Sequence, residues 1–287
     1  MKKTLSLALA LTMALSLAAC GNSGGSSSSA PADASGSSSQ ANSSTSSSSA
    51  NTESDLAYVQ NKGTLVVGIT EFEPMDYQNT DGEWIGFDAD LAKEFAESLG
   101  VTVEFQLIDW DNKVMELDGK TIDVVWNGMT LTEDVLAAME CSQPYLINQQ
   151  VVVVPADVAE DYQTEESLAD LNFAVEIGSA GCEVAQANGY SYTEVADQAT
   201  ALLEVASGTA DAAIIDSLMA GAMIGEGTSY ADMTSTVALT SEEYGVGFRK
   251  GSDLAATLNE FLSGKYADGS IQTLAETYGV QDALVQE

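Results

Sequence analysis

The chain contains no histidine, which removes the commonest general base and a common metal ligand. Acid–base work would fall to a carboxylate with a displaced pKa. The groups that remain suit the holding of a polar molecule: carboxylates, amides, hydroxyls and aromatic faces. Asp216 ends the apolar run DAAIID, and Asn127, Gly128, Met129 and Thr130 follow the run IDVVW. A glycine at a strand end lets the backbone approach a ligand closely. Asn127 brings an amide that can donate and accept, or that can tie up the end of its own strand. Asp216 could hold a cation, or cap a helix over SLMAGAMIG, where aspartate is a favoured N-cap. Asp211 reads as structural. Asp88 and Asp90 are spaced like calcium ligands, but the required glycine and distal glutamate are missing; Asp88 reads as the N-cap of the next helix. Phe72, Trp110 and Trp126 are large faces whose default reading is core.

The elements that must position these groups alternate from residue 64 onward. TLVVGI is a short apolar strand. FDADLAKEFAESLG places Leu91, Phe95 and Leu99 four apart and ends at Gly100, as an amphipathic helix does. VTVEFQLI alternates strictly, which marks a strand. IDVVWNG, VVVVP, NFAVEIG and DAAIID read as buried strands, and helices are expected from about Ala180, over ALLEVASG, and in two segments near the end. Such alternation predicts α/β architecture, with open sheets covered by helices on both faces. Ligands in open α/β sheets bind beyond the carboxyl ends of strands, which is where Asn127–Thr130 and Asp216 fall.

The 287 residues hold 44 acidic and 9 basic side chains, a formal net charge of -35, and Arg249 is the one arginine. No Lys/Arg cluster exists beyond the extreme N-terminal region, so nucleic acid is excluded as a partner. Lys2 and Lys3 precede an apolar run, Leu5 to Leu17, of export-signal character. The small residues before Cys20 resemble a bacterial lipoprotein signal, in which cleavage leaves Cys20 as a lipid-bearing N-terminus. Residues 21–54 hold sixteen serines, no aromatic residue and no Val, Ile, Leu or Met. That composition predicts a disordered tether, spanning on the order of 30 Å. The expected place is the extracellular face of the cell membrane. Cys141 and Cys182 are expected to remain two separate buried thiols.

Seven segments carry a family resemblance: FEPMDY (72–77), GFDADLAKEFAESLG (86–100), DWDNKVMEL (109–117), GMTLTEDV (128–135), CSQPY (141–145), DAAIID (211–216) and YGVGFRKGSDL (244–254). In this order and spacing they resemble family 3 of the bacterial extracellular solute-binding proteins, the receptors of polar amino-acid ABC importers. The resemblance implies a two-lobe, type II periplasmic-binding-protein-like fold. Lobe 1 would comprise 55–146 with 243–287, and lobe 2 would comprise 147–242. The hinge crossings would lie near Tyr145–Gln149 and Ser241–Tyr244. It further implies a monomer without cofactor, metal or catalysis, whose partners are a small polar solute (an amino acid or related amine) and a membrane permease. Phe72 and Trp110 match the aromatic walls around the ligand side chain. Gly128, Met129 and Thr130 match the segment that offers backbone groups and a hydroxyl. Ser179 and Ala180 match a loop entering a helix whose free N–H groups favour anions, and Asp216 matches the carboxylate that takes the ligand's α-ammonium. Trp126 reads as core.

One position departs from the pattern. The family's T-x-x-R ends in an arginine that clamps the ligand α-carboxylate through a two-pronged pair. Here the segment reads Thr132-Glu133-Asp134-Val135. Arg249 lies after the second crossing and is a poor substitute, which leaves Lys113 and Lys120 as stand-ins. A sensing co-receptor and a dehydratase on the same fold are the alternative readings.

Overall fold

Two sheets carry residues 54–286, the part of the chain that the computed structural model describes. The export signal, Cys20 and tether residues 21–53 lie outside the described residues. Ser54, assigned above to the tether, instead opens the first helix, Asp55–Lys62. Its hydroxyl accepts the Ala57 N–H at 3.0 Å and donates to Asp253 at 2.5 Å, which ties the start of the helix to a residue almost two hundred positions away.

The first sheet has the order Thr102–Leu107, Thr64–Ile69, Val124–Thr130, Glu242–Phe248, Glu140–Cys141, and Leu146–Asn148 pairs with the end of Glu242–Phe248. Thr64–Ile69 runs parallel to both of its neighbours, whereas Glu242–Phe248 is antiparallel to its own. The helix Phe87–Ser98 buries Phe87, Leu91, Ala92 and Phe95, the stripe its sequence period predicts. Phe95 meets Trp126 edge-on at 6.1 Å, and Trp126 is fully buried, so its core reading stands.

The second sheet has the order Ser191–Val195, Asn172–Glu176, Ala212–Asp216, Gln150–Pro155, Met233–Ala238. Its central strands are apolar on both faces because helices cover both; Ala212–Asp216 is buried along its whole length. The chain passes from the first sheet to the second between Asn148 and Gln150, and returns between Ala238 and Glu242. Among the described residues, no helix is long and apolar enough to cross a membrane.

Arg249 lies in the interior of the first sheet's side. Its Nε donates to Asp55 at 3.0 and 3.1 Å, and its Nη1 donates to the carbonyls of Leu117 and Ile122. A guanidinium held this way anchors three segments of the chain. Cys141 and Cys182 are free. Cys141 pairs into the first sheet beside Gly247, and Cys182 lies in the helix Ala180–Asn188. Cys182 is buried, but Cys141 is only half-buried, because the short strand that carries it lies at the edge of the sheet.

Candidate functional site

The strand ends of both sheets converge on one cavity of about 300 Å³, at the small end of the range for small-molecule sites. All nine residues singled out from the sequence line it. Phe72, Trp110 and Asn127 through Thr130 come from the first sheet's side, and Ser179, Ala180 and Asp216 come from the second. Val135 and Lys113 line it too, whereas Lys120, Trp126 and Arg249 do not.

Local chemistry explains each placement. Gly128 has φ +55°, and a Cβ there would lie 2.6 Å from Phe72 Cε1. Its N–H donates to Asp88 Oδ2 at 2.7 Å. Asp88 is therefore not the helix cap read from the sequence: the cap position falls on Gly86, and the Asp88 carboxylate is fully buried. Besides Gly128 it accepts the Tyr145 hydroxyl at 2.7 Å, and burial raises its pKa to about 7. Asp88 thus fixes the cavity-facing backbone of Gly128. Asn127 is committed to the protein. Its Oδ1 accepts from the Thr70 N–H and hydroxyl, and its Nδ2 donates to the Thr70 carbonyl and to Asp76. Of the two roles weighed for this amide, the strand-end tie is the one its hydrogen bonds fill. The Thr130 hydroxyl donates to Glu242 at 2.8 Å, which leaves its lone pairs to accept. Met129 packs with Val125, Val135 and Met139.

Asp216 precedes the helix Ser217–Met223 but makes no side-chain cap bond to it. Its carboxylate instead accepts Tyr244 Oη at 2.7 Å and Gln150 Nε2 at 2.8 Å, along with the amides of Asn148 and Gln198. Asn148 and Gln150 also donate to Glu242. Asp216 and Glu242, at the end of the return segment, therefore share two donors from the first connecting segment. Burial raises the Asp216 pKa to about 7, the Glu242 charge adds to the rise, and the Tyr244 and Gln198 hydrogen bonds oppose it. Ser179 caps the helix Ala180–Asn188 by accepting the Cys182 N–H at 3.1 Å.

Where the resemblance expects an arginine, Val135 presents an apolar wall in the first turn of the helix Glu133–Ala138. Lys113 stands in the same cavity. Its Nζ donates to the Trp110 carbonyl at 3.2 Å and to Gly178 O, from the opposite side, at 3.0 Å, and it lies 4.8 Å from the Trp110 ring centre. Burial lowers its pKa; the charges of Glu176, Asp111 and Glu183 work against that. Glu176 was missed from the sequence. It ends the strand Asn172–Glu176 as Asp216 ends its own, so a charged residue closing an apolar run was the available signal.

A family model described as bacterial extracellular solute-binding proteins, family 3, matches residues 65–281. The chain belongs to this family. Among other solute-binding proteins, the L-cystine-binding protein TcyJ of Escherichia coli K12 is 29% identical over 230 residues, which cover 79% of this chain and 86% of the relative. Two solved structures are similar in fold. One is a mutant of ArgBP from T. maritima, with TM-score 0.73 and 33% identity, covering 78% of this chain and 98% of the other. The second is the ancestral amino acid-binding protein AncCDT-1, a precursor of cyclohexadienyl dehydratase, with TM-score 0.72 and 31% identity, covering 78% and 99%. The solute-binding protein described here thus has the type II periplasmic-binding-protein fold.

Proposed function

We propose that this solute-binding protein captures a small amine-bearing solute, an amino acid or related amine, outside the cell and delivers it to the permease of an ABC importer. The observation that carries this reading is a buried carboxylate, Asp216, facing a residue-sized cavity walled by Phe72 and Trp110. An ammonium group is the natural partner of that carboxylate, and the aromatic faces favour cationic or apolar side chains. The solute docks between two bodies that close over it by a hinge motion, and it leaves unchanged. The relatives named for binding support this role over an enzymatic one. In this reading the protein acts as a monomer, without a cofactor, anchored through lipid on Cys20. The anchor is tested by fatty-acid labelling of cells: the wild type is expected to take up label and Cys20→Ser none, and equal labelling would rule the anchor out.

Val135 shapes which amines bind well. An enclosed carboxylate without a cation costs several kcal/mol unless neutral donors compensate, and Lys113 already spends two of its three N–H groups on carbonyls. Free amino acids are therefore expected to gain little over their amides in the wild type. Val135→Arg should raise affinity for the free acid over the amide by about ten- to hundredfold, the worth of a charge-assisted hydrogen-bonded pair. Calorimetric titration of L-arginine and L-argininamide into both proteins decides it. A wild type that holds the free acid at nanomolar affinity and rejects the amide would show that another group already clamps the carboxylate.

A further inference from the structure

Among the described residues, six ionisable side chains line the cavity: Asp111, Asp134, Glu176, Glu183 and Asp216 against Lys113 alone. Two of the acids are deeply buried, and they differ in how they are satisfied. Asp216 accepts from four side chains. Glu176, 3% exposed, has an Oε1 atom buried with no hydrogen-bond partner. A buried carboxylate oxygen without a donor is costly, and here the side chain carrying it borders the ligand space.

We infer that Glu176 is a second cation-accepting group of the site, so that the solute carries two positively charged nitrogens, one held by Asp216 and the other by Glu176. The topology supports the pairing. Asn172–Glu176 and Ala212–Asp216 are adjacent parallel strands with Phe173 opposite Ala212, which sets Glu176 level with Ile215 and Asp216 one residue further on; both strands finish at the same end of the sheet, and both carboxylates line the cavity. Small diamines and basic amino acids carry two cationic nitrogens and are small enough for a cavity of about 300 Å³ that both carboxylates line. Lys113, held by the carbonyls of Trp110 and Gly178, lies near enough to Glu176 for their charges to act on each other, but it accounts for one charge against five.

The charge state of the empty site supplies a second observable. Burial raises the Glu176 pKa to about 8; the negative charges of Asp216 and, at the start of the helix Gln198–Ser207, Asp197 add to the rise, while Gln198 and Lys113 work against it. At pH 7 the empty site therefore keeps a proton on Glu176. A cation seated there lowers that pKa and expels the proton, so affinity for a dication rises as pH climbs towards about 8.

This inference rests on the amine-binding reading above, and the test separates the two. L-arginine, agmatine and L-citrulline, whose neutral urea replaces the guanidinium at nearly the same size, are titrated calorimetrically into the full-length protein in detergent. Wild type is expected to prefer L-arginine and agmatine over L-citrulline by about ten- to hundredfold. Binding of L-arginine at pH 7 should release a proton, seen by repeating the titration in buffers of different ionisation enthalpy. Glu176→Gln, with thermal unfolding checked first, should bring L-arginine and L-citrulline within about twofold and remove most of the released proton. Equal binding of L-arginine and L-citrulline by wild type would overturn the Glu176 assignment while leaving the Asp216 reading in place, as would a charge preference that survives Glu176→Gln. Failure of all three compounds to bind would overturn the amine-binding reading and the dication with it. The wild-type comparison decides the matter even if the variant does not fold: L-citrulline displaces protons from Asp216 alone, so L-arginine should bind more tightly and release more.

Discussion

Asp216→Ala is expected to lower affinity for L-arginine by about two to four decades, because removing one partner of a buried charge pair costs roughly 3–5 kcal/mol. The carboxylate sits at the end of a fully buried strand, among amides and a tyrosine hydroxyl that orient it without neutralising it. Those neutral donors make the ion tolerable, and a bound ammonium completes it. Its raised pKa gives the effect a sign in pH. Above about pH 7 the empty site carries the charge an amine needs; below it the carboxyl is protonated and binding weakens. Stability of the empty protein runs the other way. A carboxyl whose folded pKa exceeds its unfolded value contributes stability at acid pH that is lost as pH rises through about 7. The variant also strands donors from Asn148, Gln150, Gln198 and Tyr244, so the titration should be run well below its unfolding temperature. Unchanged affinity would make Asp216 a structural hub between the crossing segments and nothing more.

Gly128→Ala is expected to be among the most damaging single-methyl additions in the cavity. The residue has φ +55°, and its new Cβ would stand 2.6 Å from Phe72 Cε1 and 3.0 Å from Tyr244 Cε2. Left-handed backbone costs a non-glycine residue roughly 1–2 kcal/mol, and overpacking adds about 1–3 kcal/mol. Neither ring can retreat freely: Phe72 packs edge-on against Tyr244 at 6.4 Å, and the Tyr244 hydroxyl is bound to Asp216. A chain of this size loses about 2–4 °C of Tm per kcal/mol, so a fall on the order of 10 °C should appear in thermal unfolding. Binding should weaken as well, since relief of the clash displaces an aromatic wall. A Tm within a degree of wild type would mean that the strand end relaxes and that Gly128 is not required there.

What could be read from the sequence followed from local pattern. Leu91 and Phe95 announce their face by spacing, the consecutive valines of Gln150–Pro155 announce a strand buried on both faces, and apolar runs that end in Asn127–Gly128 or Asp216 mark strand termini where open sheets bind ligands. The misreadings share a cause. Asp88, three residues after a strand and at the start of a helix, has the local signature of a cap, yet its partners Gly128 and Tyr145 lie 40 and 57 positions away. Ser54 looks like the last serine of a tract and is held by Asp253. Asn127 is left open between ligand and strand end by its sequence, because Thr70 and Asp76, which occupy its amide, lie 57 and 51 positions away. Composition and periodicity carry no information about such distant partners. Glu176 differs: closing an apolar run, it carries the same local signal as Asp216, but its unpartnered oxygen is revealed only by three-dimensional packing.

The threading of the two sheets bears on how the chain assembles. Every strand of the second sheet comes from one uninterrupted stretch, Gln150 to Ala238, whereas the first sheet lacks an interior strand until Glu242–Phe248 arrives. Emerging from its N-terminus, as chains do, the polypeptide makes most of the first sheet early yet cannot finish it. The later-made second sheet has all its partners in hand sooner. Contacts close in sequence form faster than those that must close a long loop, so the inserted body completes itself first and then delivers the strand that seals the older one. The last strand to be placed begins with Glu242 and Tyr244, whose side chains contact the cavity's carboxylate network. The binding site is therefore assembled last, only after both bodies exist.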